Sequence, residues 1–289
     1  MTPTVLRSKT NEVLIDSQGP MVIIGEKINP TGHKKLAAAL QEGNYDYVRD
    51  LALRQVAWGA DVLDINVGVP GLDDVALMSE IVKLVINCVD VPLCLDSPNP
   101  AALAAGLAVV PGKPLVNSVS GEESRLKSIL PLVKDREAVV IGLTMDDNGI
   151  PNDPEARVAI AEKILERAAR IGIPKEDVII DPLVMSVSSD SQAGMITLRT
   201  IELIHRVLGT NINLGASNVS FGLPDRQTVN QAFLALAMSG GATCAITDPM
   251  KLTGIIRATD LLLGRDDFSV RFIRYFRQSQ AMLEKEQTK

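Results

Sequence analysis

Three observations predict a (β/α)8 barrel of the TIM type. Short runs of Val, Ile and Leu alternate about eight times with segments of helical periodicity. Such continuous apolar runs suit parallel strands covered on both faces, whereas a half-solvated sheet would alternate apolar and polar residues. The 289 residues, 46% of them hydrophobic, suffice for one large core, and no linker, low-complexity stretch or shift of composition divides them. Two smaller domains or a doubly wound open sheet are the alternatives. The first strand–helix turn, Gly25-Glu-Lys-Ile-Asn-Pro30, lacks the GxGxxG fingerprint of the open sheet.

Residues 1–20 precede the barrel as an extension. Thr4-Val-Leu-Arg7 and Glu12-Val-Leu-Ile-Asp16 suit a hairpin over the barrel floor, with a disordered arm as the other reading. The barrel and its C-terminal helix occupy 21–289. Strands are expected at Met21–Ile28, Asp61–Val67, Pro92–Leu95, Pro114–Asn117, Ala138–Thr144, Val178–Asp181, Asn211–Gly215 and Ala242–Thr247. Helices are expected at Tyr45–Trp58, Asp73–Asn87, Pro100–Leu107, Gly121–Lys134, Asp153–Ile171, Gln192–Leu208, Asp225–Ser239 and Lys251–Leu263. Asp153-Pro154 and Asn99-Pro100 give a capping side chain followed by a proline at the first helical position. Gly172 and Gly209 fit helix C-termini, where a left-handed residue stops the helix. The last segment, Asp267–Lys289, reads as a helix with Phe268, Phe272, Tyr275 and Phe276 on a packing side and Arg271, Arg274 and Arg277 solvated between them. A docking surface for an acidic partner is the other reading.

The net charge of −6 argues against a general nucleic-acid binder. Cys88, Cys94 and Cys244 lack C-x-x-C spacing and sit in apolar runs, as reduced core residues of a cytoplasmic protein would. With only His33 and His205 and no HExxH pair, no dedicated protein metal site is expected. No apolar run approaches the roughly 18 residues of a membrane span, and no signal peptide is visible.

In a barrel of this class the ligand site forms at the C-terminal ends of the strands. Those ends carry Glu26 and Asn29, Asp64 and Asn66, Asp96, Asn117, Thr144, Asp181, Asn218 and Asp248. The clearest stretch is Leu214-Gly-Ala-Ser-Asn218-Val-Ser220, where an apolar strand breaks at small residues and presents a carboxamide between two hydroxyls. Buried polar groups cost free energy unless a partner satisfies them. A plain structural role is the alternative at each position: an Asx turn at Asn218, loop bonding by Asp64 and Asn66, turns or helix starts at Asp181 and Asp248, and pairing of Glu26 with Lys27 or Arg226. Lys27 and Arg226 are the nearest cations, too few for a polyphosphate. Carboxylates and carboxamides instead suit a neutral heterocycle such as a 2-amino-4-oxo pyrimidine, whose N–H fork a carboxylate accepts two at a time.

Gly25-Glu-Lys-Ile-Asn29, Leu63-Asp-Ile-Asn-Val-Gly68, Cys94-Leu-Asp-Ser97, Val116-Asn-Ser118, Ile141-Gly-Leu-Thr-Met145, Ile180-Asp-Pro-Leu183 and Ser217-Asn-Val-Ser220 together resemble the pterin-binding barrel family. Within it they are most similar to the methyltetrahydrofolate:corrinoid methyltransferases, including the folate-binding module of cobalamin-dependent methionine synthase. The resemblance runs in order from Met21 to Leu263. It implies that Asp96, Asn117 and Asp181 hold a pterin ring. Asn218 would be the catalytic residue, reaching the N5 nitrogen that carries the methyl group. Glu26, Asn66, Gly215, Ser220 and Arg226 would complete the substrate site.

The implied activity moves a methyl group between N5 of tetrahydrofolate and the cobalt of a corrinoid, in methyl-donor demethylation or acetogenic one-carbon metabolism. The resemblance implies no direction. The 289 residues leave no room for homocysteine or cobalamin modules, so the cobalamin is expected on a partner corrinoid protein, and the enzyme is expected to be a homodimer. Dihydropteroate synthases share the barrel, but their serine-arginine-proline-glycine loop after strand two is replaced here by Val67-Gly-Val-Pro-Gly71. A dihydropteroate synthase-like condensation and a noncatalytic pterin-binding barrel are the competing readings.

Overall fold

The structure is a computed structural model and describes residues 2–287. It opens with an antiparallel hairpin, β1 (Thr4–Arg7) and β2 (Glu12–Ile15). There follow β3 (Val22–Ile28), α1 (Lys34–Gln41), α2 (Asp46–Ala57), β4 (Val62–Asn66), α3 (Asp74–Cys88), β5 (Leu93–Asp96), α4 (Pro100–Leu107), β6 (Leu115–Ser120), α5 (Glu123–Asp135), β7 (Val139–Leu143), α6 (Pro154–Arg170), β8 (Val178–Asp181), α7 (Ala193–Leu203), α8 (Arg226–Gly240), β9 (Cys244–Thr247), α9 (Pro249–Leu262) and α10 (Val270–Gln287). The seven strands from β3 onward are all parallel, in the order β8-β7-β6-β5-β4-β3-β9. Residues 211–215 lie between the two edges, with Ile212 bridging Ile180 and Gly215 bridging Ile246. They close the sheet into a TIM-type α/β barrel.

That eighth position departs from the regular strand expected there. The carbonyl of Ile212 accepts from both Thr243 N–H and Cys244 N–H, and the Ile212 N–H goes to the Thr243 hydroxyl at 2.9 Å. A side chain thus takes a place that a ladder carbonyl would hold, and the pairing stays at isolated bridges. After Gly215 the chain turns into a short 3-10 helix, Ala216–Ser220. Helix α1 was not anticipated: it has no side-chain cap and buries only Leu36, Ala39 and Leu40. Where capping signals are strong, side chains do the expected work: Asp153 accepts from Ala156 N–H, Asn99 from Ala101 N–H and Asp248 from Met250 N–H.

The strands alternate sides, so two cores form. Met21 and Ile23 face the helix layer, while Val22 and Ile24 join Val62, Cys94, Leu115, Val139, Ile141, Ile179 and Cys244 inside the barrel. Leu6 and Ile15 of the hairpin, both fully buried, belong to this inner cluster and plug its floor. Asn211 ties the plug down by donating to the Thr4 hydroxyl and the Ile15 carbonyl. No helix among the described residues is long and apolar enough to cross a membrane.

An ion cluster at the floor stitches the last helices to the strand origins. Asp61 accepts from Ile23 N–H at 2.9 Å and pairs with Arg257 at 3.2 Å and Arg271 at 3.4 Å. Asp260 accepts from Met21 N–H at 2.9 Å. Arg271 is therefore an anchor, not the solvated arginine expected from sequence. The aromatic stripe also differs: Phe272 and Tyr275 are half-buried, but Phe268 and Phe276 are exposed. The helix expected from Asp267 starts at Val270 after a short 3-10 turn, and positions 288 and 289 lie outside the described residues. Breaking a buried ion pair strands its partner. Arg257→Leu should therefore lower unfolding stability by about 3–5 kcal/mol in denaturant titration, and an unchanged midpoint would assign the cluster no structural weight.

Candidate active site at the carboxyl ends of the strands

The inward-facing row of each strand changes character one step above the inner core. Val62 is followed by Asp64, Cys94 by Asp96, Leu115 by Asn117 and Ile179 by Asp181, each two residues on and therefore on the same side of the sheet. These side chains line a cavity of about 730 Å³ together with Glu26, Lys27, Gly215, Ser217, Asn218, Phe221 and Arg226. Two register breaks aim the ring: β3 shifts against β4 between Gly25 and Ile28, and β6 shifts against β7 between Asn117 and Val119.

Each acid is held by a donor. Asp96 accepts from the Asn66 amide at 3.0 Å, and Asp64 accepts from the Asn117 amide at 3.3 Å. Asp181 accepts from Leu183 N–H at 2.8 Å and the Asn213 amide at 2.7 Å. Glu26 accepts from the Ser217 hydroxyl at 3.1 Å, whereas Lys27 pairs with Asp248 at 3.1 Å. Arg226 donates to the Ser220 hydroxyl at 3.1 Å and the Ser217 carbonyl at 2.7 Å. Asn218 differs from all of these. Its exposed amide bonds no group among the described residues and lines the cavity. A Cβ at Gly215 would come within 3.1 Å of the Asn218 amide nitrogen, so the glycine preserves that amide's room.

Burial raises the carboxyl pKa values. Asp64 is pushed well above the ordinary carboxylate range by desolvation, and next by Asp96; Asp96 is raised by its own desolvation. Desolvation lifts Asp181 to about 6 despite its donors, and it raises Glu26 against the pull of Lys27. The inner pair Asp64–Asp96 therefore favours holding a proton, which would make one of them a donor as well as an acceptor.

Of the residues singled out from sequence, Glu26, Asp96, Asn117, Asp181, Gly215, Asn218 and Arg226 line the cavity. Asn66 and Ser220 do not: the first holds Asp96 and the Gly68 N–H, and the second, fully buried, props Arg226. Two supporting residues went unnoticed. Gln55 is fully buried on α2, and its carbonyl accepts from Lys27 N–H at 2.8 Å, fixing the bulge that carries Glu26. Arg157, 1% exposed, donates to the carbonyls of Pro151, Pro182 and Leu183 and so holds the turn after Asp181. Both left a signal. Gln55 continues the buried face of Val48, Leu51 and Ala52, and Arg157 that of Ala161, Ile164 and Ala168. A polar residue at an apolar helical position is there to bond something.

A closed α/β barrel with a carboxylate- and amide-lined mouth defines the class: a binder of a small, flat, hydrogen-bonding heterocycle. The chain belongs to the pterin binding enzyme family, whose profile matches residues 25–248. It is 35% identical over 266 residues to the methylcorrinoid:tetrahydrofolate methyltransferase of Eubacterium limosum, covering 89% of this chain and 97% of that protein. It is 31% identical over 245 residues to the methionine synthase of Mycobacterium tuberculosis, covering 80% of this chain and 21% of that much longer protein. A Yersinia pestis dihydropteroate synthase structure shares the fold with a TM-score of 0.70 at 16% identity, over 90% of this chain and 99% of that one. One from Xanthomonas albilineans does so with a TM-score of 0.67 at 22% identity, over 91% and 98%.

The raised pKa of Asp181 has a measurable consequence. Its ordinary value is 3.8 and its folded value about 6, so between these the native state binds the proton that the unfolded chain releases. Stability supplied by the protonated form is complete below about pH 4 and is lost as pH rises to about 6. Chemical denaturation across that window should show a steeper fall for wild type than for Asp181→Asn, with a difference of up to about 3 kcal/mol. Parallel curves would show that Asp181 titrates normally.

Proposed function

We propose that this protein transfers a methyl group between a corrinoid carried by a separate protein and N5 of tetrahydrofolate. The observation that carries this reading is the unpartnered amide of Asn218 beside Asp96, Asn117 and Asp181 at one cavity. The Eubacterium limosum relative, matched over nearly its whole length, supports the reaction class, and its name gives the methylcorrinoid as donor and tetrahydrofolate as acceptor. We take the same direction for this chain, in one-carbon metabolism in the cytoplasm. The three free cysteines, two of them buried, fit a reducing compartment.

The residues fit a pterin. Asp96 and Asp181 offer acceptors to its amino and ring N–H groups, and Asn117 offers an amide to its remaining polar edge. The corrinoid supplies the methyl group from cobalt, and the electron pair of the bond that breaks stays with the metal. As the N5 lone pair takes the methyl group, positive charge grows on N5 and its proton becomes acidic. The Asn218 carbonyl oxygen can accept that N–H and strengthen its bond as the charge develops; in the reverse direction the same amide rotates to donate. This is electrostatic preorganisation, with the proton passing to solvent. The dihydropteroate synthase structures are likenesses of fold, and the loop Val67–Gly71 lacks the serine and arginine such an enzyme carries there.

The decisive test mixes the protein with tetrahydrofolate and free methylcobalamin, or with methyltetrahydrofolate and cob(I)alamin, and follows the visible spectrum. Tight folate binding without exchange would instead mark a noncatalytic pterin barrel. Asn218→Ala should lower the single-turnover rate about 10²–10³-fold while weakening folate binding by only about 0.5–1.5 kcal/mol. Asp96→Ala should show the opposite balance, weakening binding by about 1–3 kcal/mol. A variant at position 218 that changes affinity alone would remove it from the mechanism.

We also infer a homodimer formed through the C-terminal segment. Leu262, Phe268, Val270, Ile273 and Phe276 are exposed there, and α10 is anchored to the floor end of the barrel through Arg271 and Asp61. Pairing through this face would leave the mouth open to a corrinoid-bearing domain. Light scattering at micromolar concentration should give twice the chain mass, and Phe268→Glu with Phe276→Glu should halve it.

A further inference from the structure

A second cavity, of about 160 Å³, opens between the N-terminal turns of α8 and α9. It shares Glu26, Lys27, Ser217 and Arg226 with the main cavity and adds Gln227, Asn230 and Lys251. Three features of this annex are unexplained by the main site. Asn230 is 7% exposed, yet its side-chain oxygen has no hydrogen-bond partner among the described residues, and a buried amide oxygen left in that state is destabilising. Lys251 is exposed at the mouth of the annex and pairs with no carboxylate among the described residues. Arg226 donates to a hydroxyl and a carbonyl and lies 5.8 Å from the Phe221 ring centroid, with no carboxylate in salt-bridge contact among the described residues, whereas Lys27 pairs with Asp248 at 3.1 Å.

Two cations without a salt-bridge partner among the described residues, next to a buried amide, describe a receptor for a carboxylate joined to an amide. The placement follows from the main site. The arm of a folate leaves its pterin at C6, the carbon next to N5, so an N5 at Asn218 starts the arm beside Ser217, which lies on the wall common to both cavities. We propose that the annex holds the glutamyl tail of the folate, with Arg226 and Lys251 facing its carboxylates and the Asn230 amide paired with its amide group. This subsite rests on the folate reading above.

The experiment separates the two ideas by using two ligands, 5-methyltetrahydrofolate and the tail-less 5,6-dimethyltetrahydropterin, each titrated calorimetrically against wild type, Lys251→Ala, Lys251→Arg and Asn230→Leu. Lys251→Ala is expected to weaken the tailed ligand about 5–10-fold, as for a partly screened charged contact. It should leave the tail-less one unchanged, with Lys251→Arg restoring most of the loss. Asn230→Leu is expected to act in the same selective direction. Equal losses for both ligands, or no loss for either, would overturn the annex as a tail subsite while leaving the folate reading intact. A wild-type protein that binds neither ligand overturns the folate reading and this subsite with it.

Discussion

The structure depends on one constraint: a strand in a closed parallel barrel presents every second residue to the interior, and that interior must be dry below and polar above. Four strands switch from an apolar residue to Asp or Asn in a single step of two, at Asp64, Asp96, Asn117 and Asp181. The acids at that level are desolvated, which raises their pKa values, and each is kept in place by an amide or backbone N–H. A register error of one residue on any of these strands would turn its acid toward the helices and an apolar side chain into the mouth. The bulges in β3 and β6 are therefore part of the site, because they set the phase at Glu26 and after Asn117.

The two ends of the barrel divide the work. At the floor, Asp61, Arg257, Asp260 and Arg271 join the starts of β3 and β4 to α9 and α10, and the hairpin seals the interior with Leu6 and Ile15. At the mouth, polar groups bond one another, and the Asn218 amide bonds no group among the described residues. Buried polar side chains on helices support the mouth from behind, Gln55 beneath Glu26 and Arg157 behind Asp181.

Much of this was legible in the sequence because burial on both faces leaves unbroken runs of Val, Ile and Leu, and because a carboxylate or carboxamide at the end of such a run is costly enough to be informative. The ring from Glu26 to Asp248 was found that way, and most of its members meet at one cavity. What escaped had competing explanations. Residues 211–215 look like any other strand, and only the Thr243 hydroxyl, distant in sequence, shows why their ladder is broken. Helix α1 is short and uncapped. The aromatic residues of the C-terminal segment have helical spacing, but spacing does not say whether a face meets its own barrel or something else; Phe268 and Phe276 turn outward. Ser220 and Asn66 end apolar runs as the cavity residues do, yet they bond neighbours, a distinction that rests on a few ångströms of side-chain reach.

The sealed floor has a kinetic corollary. The hairpin closes the interior from below with Leu6 and Ile15 and the cavity opens at the mouth, so in the proposed reaction a pterin held there would lie beneath the protein that carries the corrinoid. Two reactants that share one doorway, one deep and one shallow, cannot bind in random order. Under the proposed function the folate would have to arrive before the carrier docks and leave after it departs, a compulsory order whose rate signature is dead-end inhibition by excess carrier.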